Sequence, residues 1–581
     1  IPDSAGIAIE YQLPGNSKRV DFIISGMDES KRESVVIVEL KQWSSAKATN
    51  KPSIVQTVFK GGNQEVPHPS YQAWSYAQIL NDFNETVEKE NIHVQPCAFL
   101  HNYEDDGVIN SDFYLEDLQR APLFLKTDTV KLREFIKKWV KYGDPNDVLY
   151  RIDQGKIRPS KSLANNLSSL MRGNREFTLI DDQKVVFETA IDLAKRSTDN
   201  KKQVMIVNGG PGTGKTVVAI NLLVELIKRG KNSQYVTKNA APRAVYEAKL
   251  TGSMKKSQIS NLFVGSGSFT ETDVNTFDAL IVDEAHRLNE FSGLFKNLGE
   301  NQIKELIRSS RFVVFFLDEA QRVTLHDIGS QEEIERWGTT LGAEVSVYEL
   351  ASQFRCGGSD GYIAWLDNTL QIKATANPNL EGINYEFEVF DNPSAMLKKI
   401  KGLDSTKAKS RIVAGYCWDW ISKKDSEAYD IAFPAFKFRM KWNLASHGPL
   451  WITQDSSVAE AGCIHTCQGL EMDYVGVIIG PDLIVRDGKV QTNALERSGM
   501  DSSIKGIKKM IKEDALSAAG SADEIIKNTY RTLMTRGMRG CFIYSSDAET
   551  REWFRRSVCL PVVPTSFQIT NVASPKNSYE T

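Results

Sequence analysis

Eight residues, Gly209-Gly210-Pro211-Gly212-Thr213-Gly214-Lys215-Thr216, fit the pattern GxxxxGK[ST] in full. The apolar run 204–207 before them reads as a strand. The spacing of Val217, Ile220, Leu223, Val224 and Ile227 after them reads as a helix. In that context the glycines let backbone N–H groups close on phosphate at a helix N-terminus, where the dipole favours an anion. Lys215 would meet the β- and γ-phosphates of ATP, and Thr216 would hold Mg2+. Asp283-Glu284-Ala285-His286 closes another apolar strand, 279–282. Asp283 would bind that Mg2+ through water, and Glu284 would polarise the attacking water. Adjacent acids at a strand end are otherwise surface groups; behind a complete phosphate loop they read as half of a hydrolytic site.

A second set stands near the N-terminus. Asp21 lies in the β-branched run 19–25, and Glu39-Leu40-Lys41 closes the run 34–40, with 26–30 as the turn between. Residues two apart in a strand face the same side, so Glu39 and Lys41 point together, beside Asp21 on the paired strand. Two such carboxylates would hold one or two Mg2+ or Mn2+ ions, and Lys41 would orient or activate a water. Gln72 and Tyr76 follow in a stretch of helical spacing, 70–84, anchored by Tyr71, Trp74, Ile79 and Phe83; 93–100 reads as a further strand. The plain alternative is a hairpin with solvated acids.

The elements that must position these groups are those of an α/β protein. At 581 residues the chain is several times the length of one domain. Hydrophobic residues make up 41% and charged residues 25%, ordinary for a globular protein, and no apolar run is long enough to span a membrane. No secretory signal is visible, and the start at Ile1 leaves room for residues upstream. Seven scattered cysteines predict a reducing, cytoplasmic setting; Cys463, His465 and Cys467 lack the second ligand pair of a structural zinc site. The net charge of −3 announces no global field for nucleic acid, although a local groove is invisible in a sum. From Gln203 onward, strands at 203–208, 233–237, 278–282, 311–317, 410–416, 474–479 and 540–544 alternate with helices, which predicts parallel sheets. The expected organisation is an N-terminal α/β unit (1–127), a helical connector (128–175), a first ATP-binding lobe (176–347) and a second lobe (348–581) carrying an insertion at about 482–522.

Several ordered segments resemble the motifs of superfamily 1 helicases, which implies two RecA-like lobes. Gln183 resembles the adenine-reading glutamine, and Thr237-Lys238-Asn239 the motif that touches the strand backbone. Leu317-Asp318-Glu319-Ala320-Gln321 resembles GDxxQ, with Leu317 in place of Gly and Gln321 sensing the γ-phosphate. Gln353-Phe354-Arg355 resembles the motif whose arginine contacts that phosphate. The segment from His465 to Glu471 resembles T-x-Q-G-x-E. Tyr530-Arg531-Thr532-Leu533-Met534-Thr535-Arg536 resembles YVALTR, with Arg536 as an arginine finger. Each is unspecific alone; their order over 177–544 carries the weight. The spelling is most similar to the Schlafen-like helicases. Asp21, Glu39, Lys41, Gln72 and Tyr76 together resemble the D…ExK…QxxxY pattern of PD-(D/E)xK nucleases, with Val20 where a proline often stands and Glu10 placed like that fold's helix glutamate.

The resemblance implies a bacterial ATP-dependent nuclease-helicase, with Mg2+ and ATP at the motor and Mg2+ or Mn2+ at the nuclease. Its partners would be single-stranded or tailed duplex DNA, with RNA as an alternative, and anti-phage defence its setting, where a phage component is one candidate protein partner. An ATP-gated sensor without processive unwinding is the competing class, and oligomeric state stays open. Three weaker features have two readings each. Tyr416, Trp418, Trp420, Trp442 and Trp451 either stack bases or pack a core. His68 either approaches the metal or holds a turn. Lys505, Lys508, Lys509 and Lys512 either clamp nucleic acid or form a solvated face.

Overall fold

The computed structural model describes all residues except 14–17, 156–162, 173–176, 294–296, 353–359, 384, 407, 426, 445, 468–471 and 560–581. The N-terminal unit holds strands β1 (Gly6–Gln12), β2 (Arg19–Met27), β3 (Glu33–Lys41), β4 (Lys47–Ala48), β5 (Ile54–Phe59), β6 (Gly62–Pro67), β7 (His93–Leu100) and β8 (Leu123–Leu125). Its main sheet has the order β1-β2-β3-β7-β8; β1 to β3 are antiparallel, and β3, β7 and β8 run parallel. Helices cover both faces. Ile23, Val35 and Ile37 pack under the helix Pro69–Phe83, while Ile24, Val36 and Val38 pack under the helix Thr129–Trp139. Burial on both sides is why β2 and β3 read as continuous apolar runs rather than alternating ones. It also fixes the chemistry: Asp21, Glu39 and Lys41 share the parity of Ile23, Val35 and Ile37, so they belong to the face under the helix Pro69–Phe83.

Glu10 lies in β1 rather than in a helix. Its side chain is exposed and paired with Arg19 at 2.9 Å, so it departs from the placement the nuclease resemblance implies. Of the stretch expected as a connector, the helix Thr129–Trp139 packs into the N-terminal unit through Ile136, just ahead of Val140.

The first lobe is a six-stranded parallel sheet of β9 (Gln203–Gly209), β10 (Ser233–Val236), β11 (Phe263–Val264), β12 (Phe277–Val282), β13 (Ser310–Leu317) and β14 (Glu344–Leu350), in the order β11-β10-β12-β13-β9-β14. The second lobe orders β15 (Glu386–Val389), β16 (Ser410–Ala414), β17 (Ile431–Phe433), β18 (Phe438–Trp442), β19 (Glu460–Gly462), β20 (Met472–Ile479) and β23 (Gly537–Ser545) as β15-β23-β20-β16-β19-β18-β17. The hairpin β21 (Leu483–Arg486) and β22 (Lys489–Thr492) stands beside it. The sheet is parallel except for the β17–β18 pair. This mixed α/β architecture with parallel sheets has the layering of RecA-like lobes, and every strand expected from 203 onward is present. One apolar core contains Ala241, Val245 and Val323 of the first lobe together with Trp365, Ile526 and Tyr530 of the second, so the lobes pack on each other.

Candidate active site

In an open parallel sheet, functional loops gather at the carboxyl ends of the strands. Here β10, β12, β13 and β9 are neighbours, and their carboxyl ends release Thr237-Lys238-Asn239, Asp283-Glu284, Asp318 and the phosphate loop. Motifs scattered over more than a hundred residues thereby line one edge. Gly212 and Gly214 adopt φ of +82° and +83°, the left-handed region that a Cβ penalises, and a Cβ on Gly214 would collide with the Gln183 amide. The helix Lys215–Lys228 starts directly behind them. Lys215 is buried, with Nζ donating to the carbonyls of Gly209 (2.6 Å) and Gly210 (2.8 Å) and standing 3.7 Å from Asp318 Oδ2. A triphosphate would replace these carbonyls with stronger, charged acceptors.

Thr216 Oγ1 donates to Asp283 Oδ2 at 2.7 Å, and Tyr235 donates to the same oxygen at 2.6 Å. Thr216 and Asp283 are therefore already side by side, as a hydroxyl and a carboxylate that share one Mg2+ must be. Burial, with the charge of Glu284 beside it, raises the Asp283 pKa, while the hydrogen bonds from Tyr235 and Thr216 oppose the rise. Glu284 goes the other way. Burial would raise it, but the hydrogen bond and charge of His286, with Lys215 and Arg536, hold it well below the usual carboxylate range. His286 Nδ1 accepts from the Asp318 backbone N–H at 3.3 Å, which leaves the proton on Nε2, 3.0 Å from Glu284 Oε2. The two adjacent acids are thus shifted in opposite directions.

Among the described residues, Arg536 brings the second lobe to this site. Arg536 is 1% exposed, and its Nη2 donates to Gln321 Oε1 at 2.7 Å; Gln321 Nε2 donates in turn to Asp318 Oδ2, the oxygen facing Lys215. A polar chain thus runs from the phosphate loop of one lobe to the arginine of the other. Gln183 sits on the opposite flank, donating from Nε2 to the Thr213 carbonyl at 3.0 Å while its Oε1 accepts from Ile180 N at 3.4 Å.

The N-terminal acids form a separate group. Asp21 Oδ2 accepts from Leu40 N at 2.8 Å, and Lys41 Nζ lies 2.7 Å from Glu39 Oε1. Glu39 is 2% exposed, and burial pushes its carboxyl up to about 7; Asp21 and Asp181 add to the rise and Lys41 opposes it. Gln72 Nε2 donates to the Tyr76 hydroxyl at 2.8 Å, and that hydroxyl donates to Asp181 Oδ2 at 3.0 Å. Among the described residues, no group of three or more His, Cys, Asp or Glu side chains is placed to hold a metal ion. Mg2+, which keeps several waters in any case, would take the remainder of its shell at either site from water and phosphate.

Residues 202–547, more than half of the chain, match the profile of the Schlafen group 3 DNA/RNA helicase domain. The chain belongs to that family. An uncharacterized protein of Saccharomyces cerevisiae is 25% identical over 454 residues, spanning 68% of this chain and 97% of the yeast protein. Among solved structures, the Pif1 helicase from Candida albicans is matched at 11% identity over 64% of this chain and 98% of that one, with a TM-score of 0.26. A DNA replication initiation factor is matched at 15% identity and a TM-score of 0.19, over 39% of this chain and 61% of that one.

Within the Schlafen group 3 helicase domain, Gln353, Phe354, Arg355 and the segment Gln468 to Glu471 lie outside the described residues. Lys238 is half-buried: its Nζ bonds Asn289 and stands 3.6 Å from Asp327, which also binds Arg287 at 2.9 Å. Trp442 and Trp451 are fully buried, and Tyr416 stacks on Trp442 at 5.1 Å, so these three pack the lobe core, while Trp418 and Trp420 are half-buried. His68 caps the helix Pro69–Phe83, accepting from Ser70 N at 3.2 Å, with Nε2 2.8 Å from the Ile109 carbonyl. It holds a turn. Cys463 and Cys467 are buried free thiols, and no helix among the described residues is long and apolar enough to cross a membrane. Lys505, Lys508, Lys509 and Lys512 are exposed, consistent with either of their readings. Sequence reasoning missed Tyr235 and Asp181 and named Asp318 only as part of its motif; the contacts of all three depend on neighbours brought in by the fold.

Proposed function

We propose that this helicase-family chain is an ATP-driven nucleic-acid motor bearing a metal-dependent nuclease on its N-terminal unit. The observation that carries the motor reading is the contact of Arg536 with Gln321, which puts a cation of the second lobe into the hydrolytic site of the first. When bound, Mg2+ neutralises phosphate charge at both sites. Thr216 and Asp283 would hold it at the motor site. Glu284 takes the proton from the attacking water, Lys215 neutralises the β- and γ-phosphates, and Arg536 meets charge developing on the γ-phosphate. Since Arg536 can bind that phosphate only with the lobes together, ATP favours closure and hydrolysis releases it. Gln183 takes the adenine.

At the N-terminal unit the fit rests on Glu39, whose Oε2 is buried without a hydrogen-bond partner among the described residues. Asp21 and Glu39 would hold a Mg2+ or Mn2+ ion there, Lys41 orients the water, and the phosphodiester is the substrate class. DNA is the preferred strand, because nothing in these motifs reads a 2′-hydroxyl. The test is cleavage of single- and double-stranded DNA and RNA with Mg2+, with and without ATP. Cutting of DNA that Lys41→Ala abolishes while ATP turnover persists supports the reading, and no cutting of any substrate contradicts it.

A further inference from the structure

Glu39 and Asp181 are both buried carboxyls, and each keeps one oxygen, Oε2 and Oδ1 respectively, without a hydrogen-bond partner among the described residues. A buried polar atom left without a partner is unfavourable, so two of them around one tyrosine mark a place built for a ligand. Tyr76 is that tyrosine. Its hydroxyl accepts from Gln72 and donates to Asp181 Oδ2 at 3.0 Å, and the charges of both carboxyls act on it. Asp181 does not come from the N-terminal unit. It opens the helix Asp181–Arg196 of the motor lobe, at φ +39°, with Lys18 Nζ 3.4 Å from the same oxygen. The N-terminal unit is docked on this helix and the residues before it at three further points: Tyr71 to the Leu179 carbonyl (2.5 Å), Lys51 to Thr189 (3.1 Å) and Asn50 to Asp192 (3.0 Å).

We propose that Asp181 is a positioning residue of the nuclease site: by accepting the hydrogen bond of the Tyr76 hydroxyl it keeps that hydroxyl from donating to Glu39, whose open oxygen stays available to a divalent cation. This rests on the nuclease reading above. A phenol O–H in a buried site must find an acceptor; without Asp181, the open oxygen of Glu39 offers one, on the β3 face whose Val35 and Ile37 pack with Tyr76. The cation site is therefore completed by a residue of the motor lobe, and the N-terminal unit by itself lacks it.

The test uses the full chain without nucleotide and Mn2+ alone as probe, counted by electron paramagnetic resonance, with ATP turnover measured on each variant as the check of folding. The Mn2+ lost in Glu39→Ala defines the site. Asp181→Ala should weaken that Mn2+ by about 10–100-fold. Asp181→Asn, whose carboxamide oxygen still accepts from Tyr76, should stay close to wild type. Asp181→Ala combined with Tyr76→Phe should recover the affinity, because the competing proton is gone, a rescue that a merely structural role would not produce. Tyr76→Phe alone should bind Mn2+ like wild type, an arm that stands even if Asp181→Ala fails to fold. Unchanged binding in Asp181→Ala, no recovery in the double variant, or weakened binding in Tyr76→Phe would overturn the proposal alone. If Glu39→Ala binds as much Mn2+ as wild type and the wild type cuts neither DNA nor RNA, the nuclease reading itself falls, and the proposal with it.

Discussion

Arg536 Nη2 donates to Gln321 Oε1 at 2.7 Å across 215 residues of sequence, and both side chains are buried. The pair joins the two lobes and, on the function proposed above, would hold Arg536 in reach of the γ-phosphate. Arg536→Ala should lower kcat for ATP by about 10³-fold or more with a smaller change in KM, the loss expected of an arginine that acts on transition-state charge. Arg536→Lys should recover little, since an ammonium lacks the planar fork. In a double-mutant cycle with Gln321→Ala the losses should be strongly non-additive; additive losses would mean that the two side chains act independently.

Against the effect of burial, the hydrogen bond and charge of His286 hold the Glu284 carboxyl well below the usual range. Glu284→Gln should leave ATP bound and lower single-turnover hydrolysis by about 10²–10⁴-fold, the span of general-base contributions. Hydrolysis at the wild-type rate would move the base elsewhere.

Burial lowers the His68 pKa to about 4. A depressed folded pKa means that the unfolded chain binds the proton more tightly, so this contribution is fully present above the unfolded value of about 6.5 and is lost as pH falls from there towards 4. The loss approaches about 3 kcal/mol at the acid end. Hydrogen exchange in the helix Pro69–Phe83 should therefore quicken on acidification in the wild type, after correction for the intrinsic rate, and much less in His68→Gln. An equal pH dependence in both would contradict the assignment.

Trp442 is fully buried against Tyr416. Trp442→Ala should cost about 3–5 kcal/mol of second-lobe stability, the usual price of an aromatic-sized cavity. Binding of single-stranded DNA by the fraction that remains folded should be unchanged, as measured by fluorescence anisotropy beside a thermal melt. Lost DNA affinity without lost stability would restore the stacking role.

What the chain discloses before folding follows from range. The strand-loop-helix around Lys215 is local, and the face shared by Asp21, Glu39 and Lys41 needs only the two-residue strand period. Tyr76 and Gln72 are one helical turn apart, so their contact was also within reach. Asp181 was not, because its partner is 105 residues away on another unit. The aromatic cluster was ambiguous because composition does not say which side of a sheet is covered, and burial decided it for Tyr416, Trp442 and Trp451. Glu10 was expected on a helix because spacing from Asp21 carries no information on local conformation, and β1 pairs with β2 instead. The pairing of Lys238 with Asp327, 89 positions on, was equally out of reach.

The most direct test of the whole account is steady-state ATP turnover by the full chain with Mg2+, with and without single-stranded DNA, in wild type and Lys215→Ala. We expect turnover that the DNA stimulates in the wild type and that Lys215→Ala abolishes. Turnover that persists in Lys215→Ala would contradict the motor assignment at its root.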